Sequence, residues 1–368
     1  MTDWAAIRAE FPALAKWTYL NAATFGQLPR CATAAIAAHF AHRDDLACTD
    51  FLSWFDGVDQ VRESIAKLIS CTAADIAFVV NAATGLALLL SGLDWQPGDQ
   101  VITLEDEFPN QLYALGELER HGVEAIHCSW ADLRAQVTNR TRLVALSSAN
   151  YNSGFVPELQ ELASFLRSRG VLLYVDGTQS VGALRFDVGR VQPDMLCVHG
   201  YKWLCSPNGA AFVYVSPELR ERLRPNVIGW RSHHAWRSVD NLHHGAPELM
   251  SAAEKYEGGM LAFPLIYAMG ATVDFMLRIG PEAIEDRVLA LADQVRAVLR
   301  EAGAAVLDGR SAIVTARFAN ADPSRIATQL RERGVVVAAR KGQLRVSPHL
   351  YNNEADIETF ARELRAVV

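Results

Sequence analysis

Two apolar runs in the middle of the chain end in side chains that can do chemistry. The first closes as Tyr174-Val175-Asp176-Gly177-Thr178-Gln179, delivering a carboxylate where a buried strand meets a turn. An isolated carboxylate there is costly and demands a partner. Asp and Thr also cap helices, so this piece alone fits a plain helix start. The second lies 26 residues further on, His199-Gly200-Tyr201-Lys202-Trp203-Leu204. A lysine between Tyr and Trp at the end of a strand is withdrawn from water, which lowers its pKa toward the free amine, the form that condenses with a carbonyl. The bland alternative is a lysine that snorkels past its aromatic neighbours to solvent. A third piece, Asn81-Ala82-Ala83-Thr84-Gly85, precedes the apolar stretch Leu86 to Leu90. Small residues at a helix start let a phosphate reach free backbone N–H groups, with the helix dipole adding to the attraction, although Asn and Thr are also ordinary caps.

The elements that must position these groups alternate from about residue 70, apolar runs of strand length with amphipathic segments of helical length. That is an α/β pattern with a mainly parallel central sheet. Candidate strands are Ile76 to Val80, Gln100 to Leu104, Leu143 to Ser147, Val171 to Val175, Met195 to Val198 and Ala211 to Val215. Several end at small or polar residues, where ligands sit in such sheets. Between the third and fourth, Val156 to Arg169 puts Val156, Leu159, Leu162, Ala163 and Leu166 on one stripe, predicting a crossover helix with Pro157 in its first turn. After Gly258 and Gly259 the texture changes. One long helical stretch, Phe263 to Leu299, leads into β candidates at Ala312 to Phe318 and Gly334 to Ala338, then a last amphipathic helix with Ile357, Phe360, Ala361, Leu364 and Val367 on its buried side. These predict a large domain over 20–257 and a smaller α+β domain from 1–19 plus 258–368.

In order and spacing together, the three pieces resemble the class V aminotransferase family of pyridoxal-phosphate enzymes, which includes cysteine desulfurases, kynureninase and isopenicillin N epimerase-like proteins. The resemblance runs from Tyr19-Leu20-Asn21-Ala22-Ala23, Gly26 and Pro29 through Glu107-Phe108-Pro109-Asn110, Asp176-Gly177-Thr178-Gln179, Tyr201-Lys202-Trp203-Leu204, Pro207 and Gly209 to Arg345-Val346-Ser347-Pro348 with Tyr351-Asn352. It implies the PLP-dependent transferase fold type I and pyridoxal 5'-phosphate carried on Lys202, which also moves the substrate's Cα proton. Asp176 would face the pyridine nitrogen and Gln179 the phenolic oxygen, with Phe108 stacked on the ring. The phosphate would meet Ala82, Ala83, Thr84, His199 and Tyr201. Asn21, Asn110, Tyr151 and Arg345 would line the substrate side, Arg345 offering a carboxylate two parallel donors. Arg340 is the second choice, otherwise read as a surface salt-bridge residue. Arg231 and His233 are further candidates for the substrate mouth.

Departures from the family pattern narrow the chemistry. Val337-Ala338-Ala339-Arg340-Lys341-Gly342 carries no cysteine where cysteine desulfurases have their catalytic one, which disfavours persulfide chemistry. Gly259-Met260 stands where the family has Gly-Thr, so only a backbone contact remains there for the partner subunit's phosphate. The residue before the lysine is usually His, and Tyr201 replaces it. The implied function is an aminotransferase acting on an α-amino acid, with a lyase breaking a carbon-sulfur or other β-bond, or an epimerase, as alternatives. A scaffold without catalysis has no use for the set Lys202, Asp176, Gln179 and Arg345.

The bulk composition is consistent with a small-molecule enzyme. In 368 residues, half of them hydrophobic, a sizeable core is possible; 42 acidic against 35 Lys plus Arg, a net charge of -7, argues against nucleic-acid or anionic-membrane partners. Met1 to Lys16 lacks the apolar core of a secretory signal, and no stretch is apolar enough to span a bilayer. Cys31, Cys48, Cys71, Cys128, Cys197 and Cys205 are scattered, as in a reduced cytoplasmic protein. His233, His234, His243 and His244 are the one rival cluster, but adjacent histidines diverge and no acid is spaced to complete a metal shell, so no metal is expected. The resemblance also implies a homodimer.

Overall fold

The structure is a computed structural model that describes residues 2–368. Its centre is a sheet of seven strands: β2 (Ile76–Val79), β3 (Gln100–Leu104), β4 (Glu124–Cys128), β5 (Thr141–Ser147), β6 (Leu172–Asp176), β7 (Met195–His199) and β8 (Ala211–Val215), in the order β2-β8-β7-β6-β5-β3-β4. β3 to β7 pair in parallel, while β8 runs antiparallel to both of its neighbours. Strands β3, β6 and β8 are buried along their whole length, as continuous apolar runs must be when helices cover both faces. Apolar clusters on the two sides of the sheet include Phe55, Val144, Leu173 and Phe212 on one and Leu89, Val101, Tyr174 and Val213 on the other.

The six expected strands all form, with ends shifted by at most two residues. β4 escaped the apolar-run reading because it is an edge strand with a largely exposed or half-buried sequence. The crossover helix is Leu159–Arg167, burying Leu159, Leu162, Ala163 and Leu166; it starts later than expected, so Pro157 precedes the helix rather than occupying its first turn.

The long stretch expected after residue 262 is two helices, Phe263–Ile279 and Pro281–Glu301. Gly280, at φ 99°, turns the chain between them in a backbone region that side-chain-bearing residues avoid, and Pro281 opens the second helix. The first helix packs on helices Arg30–Leu46 and Phe51–Ile69. A separate apolar cluster holds Leu20, Leu291, Val314, Leu330, Leu344 and Phe360 around a four-stranded antiparallel sheet, β12-β13-β10-β9, built from β9 (Ala305–Val306), β10 (Val314–Arg317), β12 (Ala338–Arg340) and β13 (Gln343–Val346). The β segment expected at 334–338 divides: β11 (Val335–Val336) pairs in parallel with β1 (Thr18–Tyr19), and β12 turns to pair with β13. The final helix is Glu354–Arg365, with Ile357, Phe360, Ala361 and Leu364 buried.

One polar cluster is sealed in this apolar framework. Glu257 has a fully buried side chain and accepts from Arg62 Nη1 at 2.6 Å, Arg231 Nη1 at 3.0 Å and the backbone N–H of Phe78 at 2.9 Å. Arg231 also pairs with Glu254 and donates to the carbonyl of Gly259 at 3.2 Å. Arg231 is therefore a structural residue, which corrects its placement at the substrate mouth. Removing Glu257 takes the fully buried acid away from two guanidinium groups, leaving Arg231 to Glu254 and Arg62 to a longer contact with Asp59 at 3.4 Å. Glu257→Ala is expected to lower stability by about 3–5 kcal/mol, read as a fall in the urea midpoint with an unchanged slope.

Candidate active site

The strand ends place the reactive groups. Ser147 closes β5, Asp176 closes β6 and His199 closes β7, so side chains from three adjacent strands converge at one edge of the sheet. The helix Ala82–Gly92 begins beside them. Ala82, Phe108, Asn110, Ser147, Tyr151, Asp176, Thr178, Gln179, His199, Tyr201 and Lys202 line a single crevice of about 380 Å³, its open mouth included. Larger grooves exist; one along Leu90, Trp95 and Leu118 carries its charged groups at the surface and holds no amine withdrawn from water.

Lys202 is buried, with Nζ 5.3 Å from the Tyr201 ring centre and 5.6 Å from that of Phe108. The snorkelling alternative is thereby overturned. Burial pulls its amine down to about 8; Asp176 opposes that shift, while Arg345 and Arg340 add to it. Burial pushes the carboxyl of Asp176 up, against the lowering effect of Thr178, whose N–H donates to Oδ1 at 2.8 Å, and of Lys202. His199 is held down to about 4 by burial and by Lys202, and is neutral at physiological pH. Its Nε2 is buried with no hydrogen-bond partner.

The loop that carries Lys202 is clamped from several sides. Trp203 Nε1 donates to Gln179 Oε1 at 3.0 Å, and Gln179 Nε2 donates to the carbonyl of Ala23 at 3.1 Å. The carbonyl of Trp203 meets His349 Nε2 at 2.8 Å. Gly26 donates its N–H to the carbonyl of Tyr201 at 2.9 Å, and a Cβ on Gly26 would lie 1.9 Å from the carbonyl oxygen of Lys202. Beneath the crevice Glu107 accepts from Ser147 N and Oγ, both at 2.6 Å, and from Gln111 at 2.9 Å. Burial raises its carboxyl to about 7, with Asp176 contributing to the rise. Glu107 thus anchors the turn into Phe108. Its role, and the crevice-lining positions of Ser147 and Thr178, were absent from the sequence-based site; an acid just before an aromatic residue in an otherwise polar turn was the available signal.

Not every expected residue joins this crevice. Thr84 Oγ1 donates to Asn81 Oδ1, which already accepts from the Thr84 N–H, so this side chain serves the helix cap. Thr84 and Met260 instead line a second groove, with Val80, Val227 and Leu261, and Gly259 is held by Arg231. Within one chain, then, Thr84, Gly259 and Met260 are not brought to Lys202, and Ala83 does not line its crevice. Asn21 sits one layer back, its Oδ1 accepting from Thr24 Oγ1 at 2.8 Å. Arg345 is buried; Nη1 donates to the carbonyl of Tyr151 at 2.5 Å, Nη2 donates to Thr24 Oγ1 at 2.6 Å, and Nε has no partner. Arg340 makes no ion pair among the described residues; its Nη1 donates to the carbonyl of Ala339, which corrects the salt-bridge reading.

The histidine loop also differs from expectation. Glu248 supplies the acid thought missing, 3.7 Å from His234 Nδ1, and His233 is close to both. His233 Nδ1, however, accepts from the N–H of Ala235 at 3.1 Å, so the neutral ring presents an N–H at Nε2 rather than a lone pair.

The crevice can be tested for fit to pyridoxal phosphate. It offers a buried amine in reach of neutrality, a buried carboxylate at the neighbouring strand end, the face of Phe108 and a helix start at Ala82. The unpartnered His199 Nε2 and Arg345 Nε are buried polar atoms that call for a ligand. The residues fit the group.

Comparison with known proteins agrees. The family described as Aminotransferase class-V matches residues 19–361, and the chain belongs to that family. It is 27% identical to the isopenicillin N epimerase of Streptomyces clavuligerus over 411 aligned positions, covering 100% of this chain and 99% of that one. It is 25% identical to the uncharacterized aminotransferase YcbU of Bacillus subtilis, covering 98% and 96%. Among solved structures, a C-DES mutant with glycine covalently linked to the PLP cofactor superposes with a TM-score of 0.91 at 23% identity, covering 98% of this chain and 99% of that one. The cysteine desulfurase of Thermococcus onnurineus NA1 gives 0.88 at 19% identity, covering 99% and 98%. The fold is that of the type I PLP-dependent enzymes.

Two outcomes follow from the geometry around Lys202. Its reductive methylation by formaldehyde, followed by peptide mapping, should rise with pH and level off just above pH 8, about two units below the plateau of an ordinary lysine. A plateau above 10 would show that the amine is solvated. Gly26→Ala, which drives a methyl group into the Lys202 carbonyl, should cost about 1–3 kcal/mol in thermal unfolding and shift that plateau.

Proposed function

We propose that this chain is an aminotransferase acting on an α-amino acid. Its cofactor is pyridoxal 5'-phosphate, which when bound supplies an electron-accepting ring to the electrons released at Cα. Lys202 would hold the cofactor and, as the free amine, take the proton from Cα and return it at the cofactor's C4' carbon; its amine, near 8, is free often enough at neutral pH to accept that proton. Asp176 holds a proton on the ring nitrogen, and its burial beside Thr178 fixes the direction in which it points. Phe108 packs against a ring face. The helix start at Ala82, which lines the crevice, meets the phosphate with His199 and Tyr201. Arg345, oriented by Tyr151 and Thr24, meets the substrate carboxylate.

The observation that carries this reading is that Lys202 is the one amine lining the crevice. Moving a proton from Cα to the cofactor's C4' carbon, on the other side of the amino nitrogen, needs one such base. Persulfide chemistry is disfavoured because no cysteine lines the crevice, and Cys128, Cys197 and Cys205 are buried in the core. The groove along Val80, Thr84, Val227 and Met260, where Val80, Val227 and Met260 stay exposed, is the surface we assign to a second copy of the chain. Residues 20–257 would then hold the cofactor and the two terminal portions, 1–19 and 258–368, would close over the substrate.

Product analysis on a panel of amino acids tests the reaction. Transamination yields a keto acid with pyridoxamine phosphate; release of ammonia with pyruvate, or a racemised amino acid without a keto acid, would overturn it in favour of a lyase or an epimerase. Lys202→Ala should slow Cα proton exchange by about 10²–10⁴-fold, seen by deuterium incorporation.

A further inference from the structure

The hairpin that delivers Arg345 carries more positive charge than an α-carboxylate needs. In the β12–β13 pairing, Ala338 stands opposite Arg345 and Arg340 opposite Gln343. Side chains alternate along a strand and cross-strand partners share a face, so Arg340 and Arg345 lie on the same face of the hairpin, diagonally placed, with the neutral Ala338 and Gln343 at the other two corners. The hairpin face that Arg340 shares with Arg345 is the one whose Arg345 Nη1 donates to the carbonyl of the crevice-lining Tyr151. The next residue, Lys341, turns the chain at φ 48° and sets its Nζ 5.4 Å from the ring centre of Tyr151. Tyr151 in turn lines the crevice and meets Phe108 edge to face at 5.2 Å.

Three cations therefore gather along one wall. Arg345 donates to a carbonyl and a hydroxyl and forms no ion pair, and Arg340 and Lys341 form none either among the described residues. In a chain of net charge -7, that local excess is an unmet demand for an anion. Resting on the reading of Arg345 as the α-carboxylate contact, we infer that the substrate is an amino acid whose side chain ends in a second anion, a carboxylate or a phosphate, held by Arg340 and Lys341 at the mouth. Arg345 takes the α-carboxylate deep in the crevice, and the hairpin tip takes the distal group.

Calorimetry on the holoenzyme with three probes that lack an amino group tests this. Glutarate is expected to bind about tenfold or more tightly than butyrate, the factor that a charge-assisted contact supplies. In the double variant Arg340→Gln, Lys341→Gln the two affinities should converge, while Arg340→Lys with Lys341 intact keeps most of the preference. 3-Phosphonopropionate separates the sources: tighter binding than glutarate assigns a phosphate-bearing side chain, weaker binding a dicarboxylate. Equal affinity for glutarate and butyrate in the unmodified protein, or a preference that survives the double substitution, overturns the inference. Because the probes do not react, such a result leaves the chemistry of Lys202 standing, whereas inactivity toward every amino acid with the diacid preference intact would sink the reaction and spare the subsite.

Discussion

An amine kept out of water next to a carboxylate kept out of water is the constraint on which the rest of this structure depends. Neither charge is comfortable alone: burial pulls Lys202 down and pushes Asp176 up, and each moderates the other. The seven-stranded sheet makes that arrangement rigid by ending two adjacent parallel strands at the same edge, one supplying the acid and the other leading into the lysine loop. Hydrogen bonds through Gln179, Trp203 and His349 then fix the loop, so the amine has one place to be. A more solvated lysine would be protonated and unreactive at neutral pH.

Buried charges around the site are held by neighbours of opposite charge or by hydrogen bonds. Glu257 satisfies Arg62 and Arg231 within the core, and Glu107 satisfies Ser147 and Gln111 beneath the crevice. In the crevice His199 Nε2 is buried without a partner, as is Nε of Arg345, whose Nη1 donates to the carbonyl of the crevice-lining Tyr151. The β12–β13 hairpin extends that cleft outward with a wall of positive charge.

Much of this was legible in the sequence for a local reason. Asp176 and Lys202 each follow a buried apolar run, and an abrupt change from apolar to ionisable marks a strand end without any knowledge of the partner strands. The crossover helix showed itself through Leu159, Leu162 and Leu166 at helical spacing. What escaped depends on side-chain partners, turns and strand register that apolar periodicity does not encode. Thr84 reads as a phosphate contact until Asn81 is seen to occupy it, and Arg231 reads as a site residue until Glu254 and Glu257, more than twenty positions away, enclose it. Gly280-Pro281 splits a stretch whose apolar periodicity continues on both sides. Arg340 looked like an ordinary surface cation because only the register with Gln343 reveals which face it shares.

The most direct measurement is covalent capture of the cofactor. Borohydride reduction of the holoenzyme, followed by proteolysis and mass spectrometry, should place a pyridoxyl group on the peptide containing Lys202 and on no other lysine. A holoenzyme that retains its visible absorbance yet yields an unmodified Lys202, or a label on a different lysine, would contradict the account at its root.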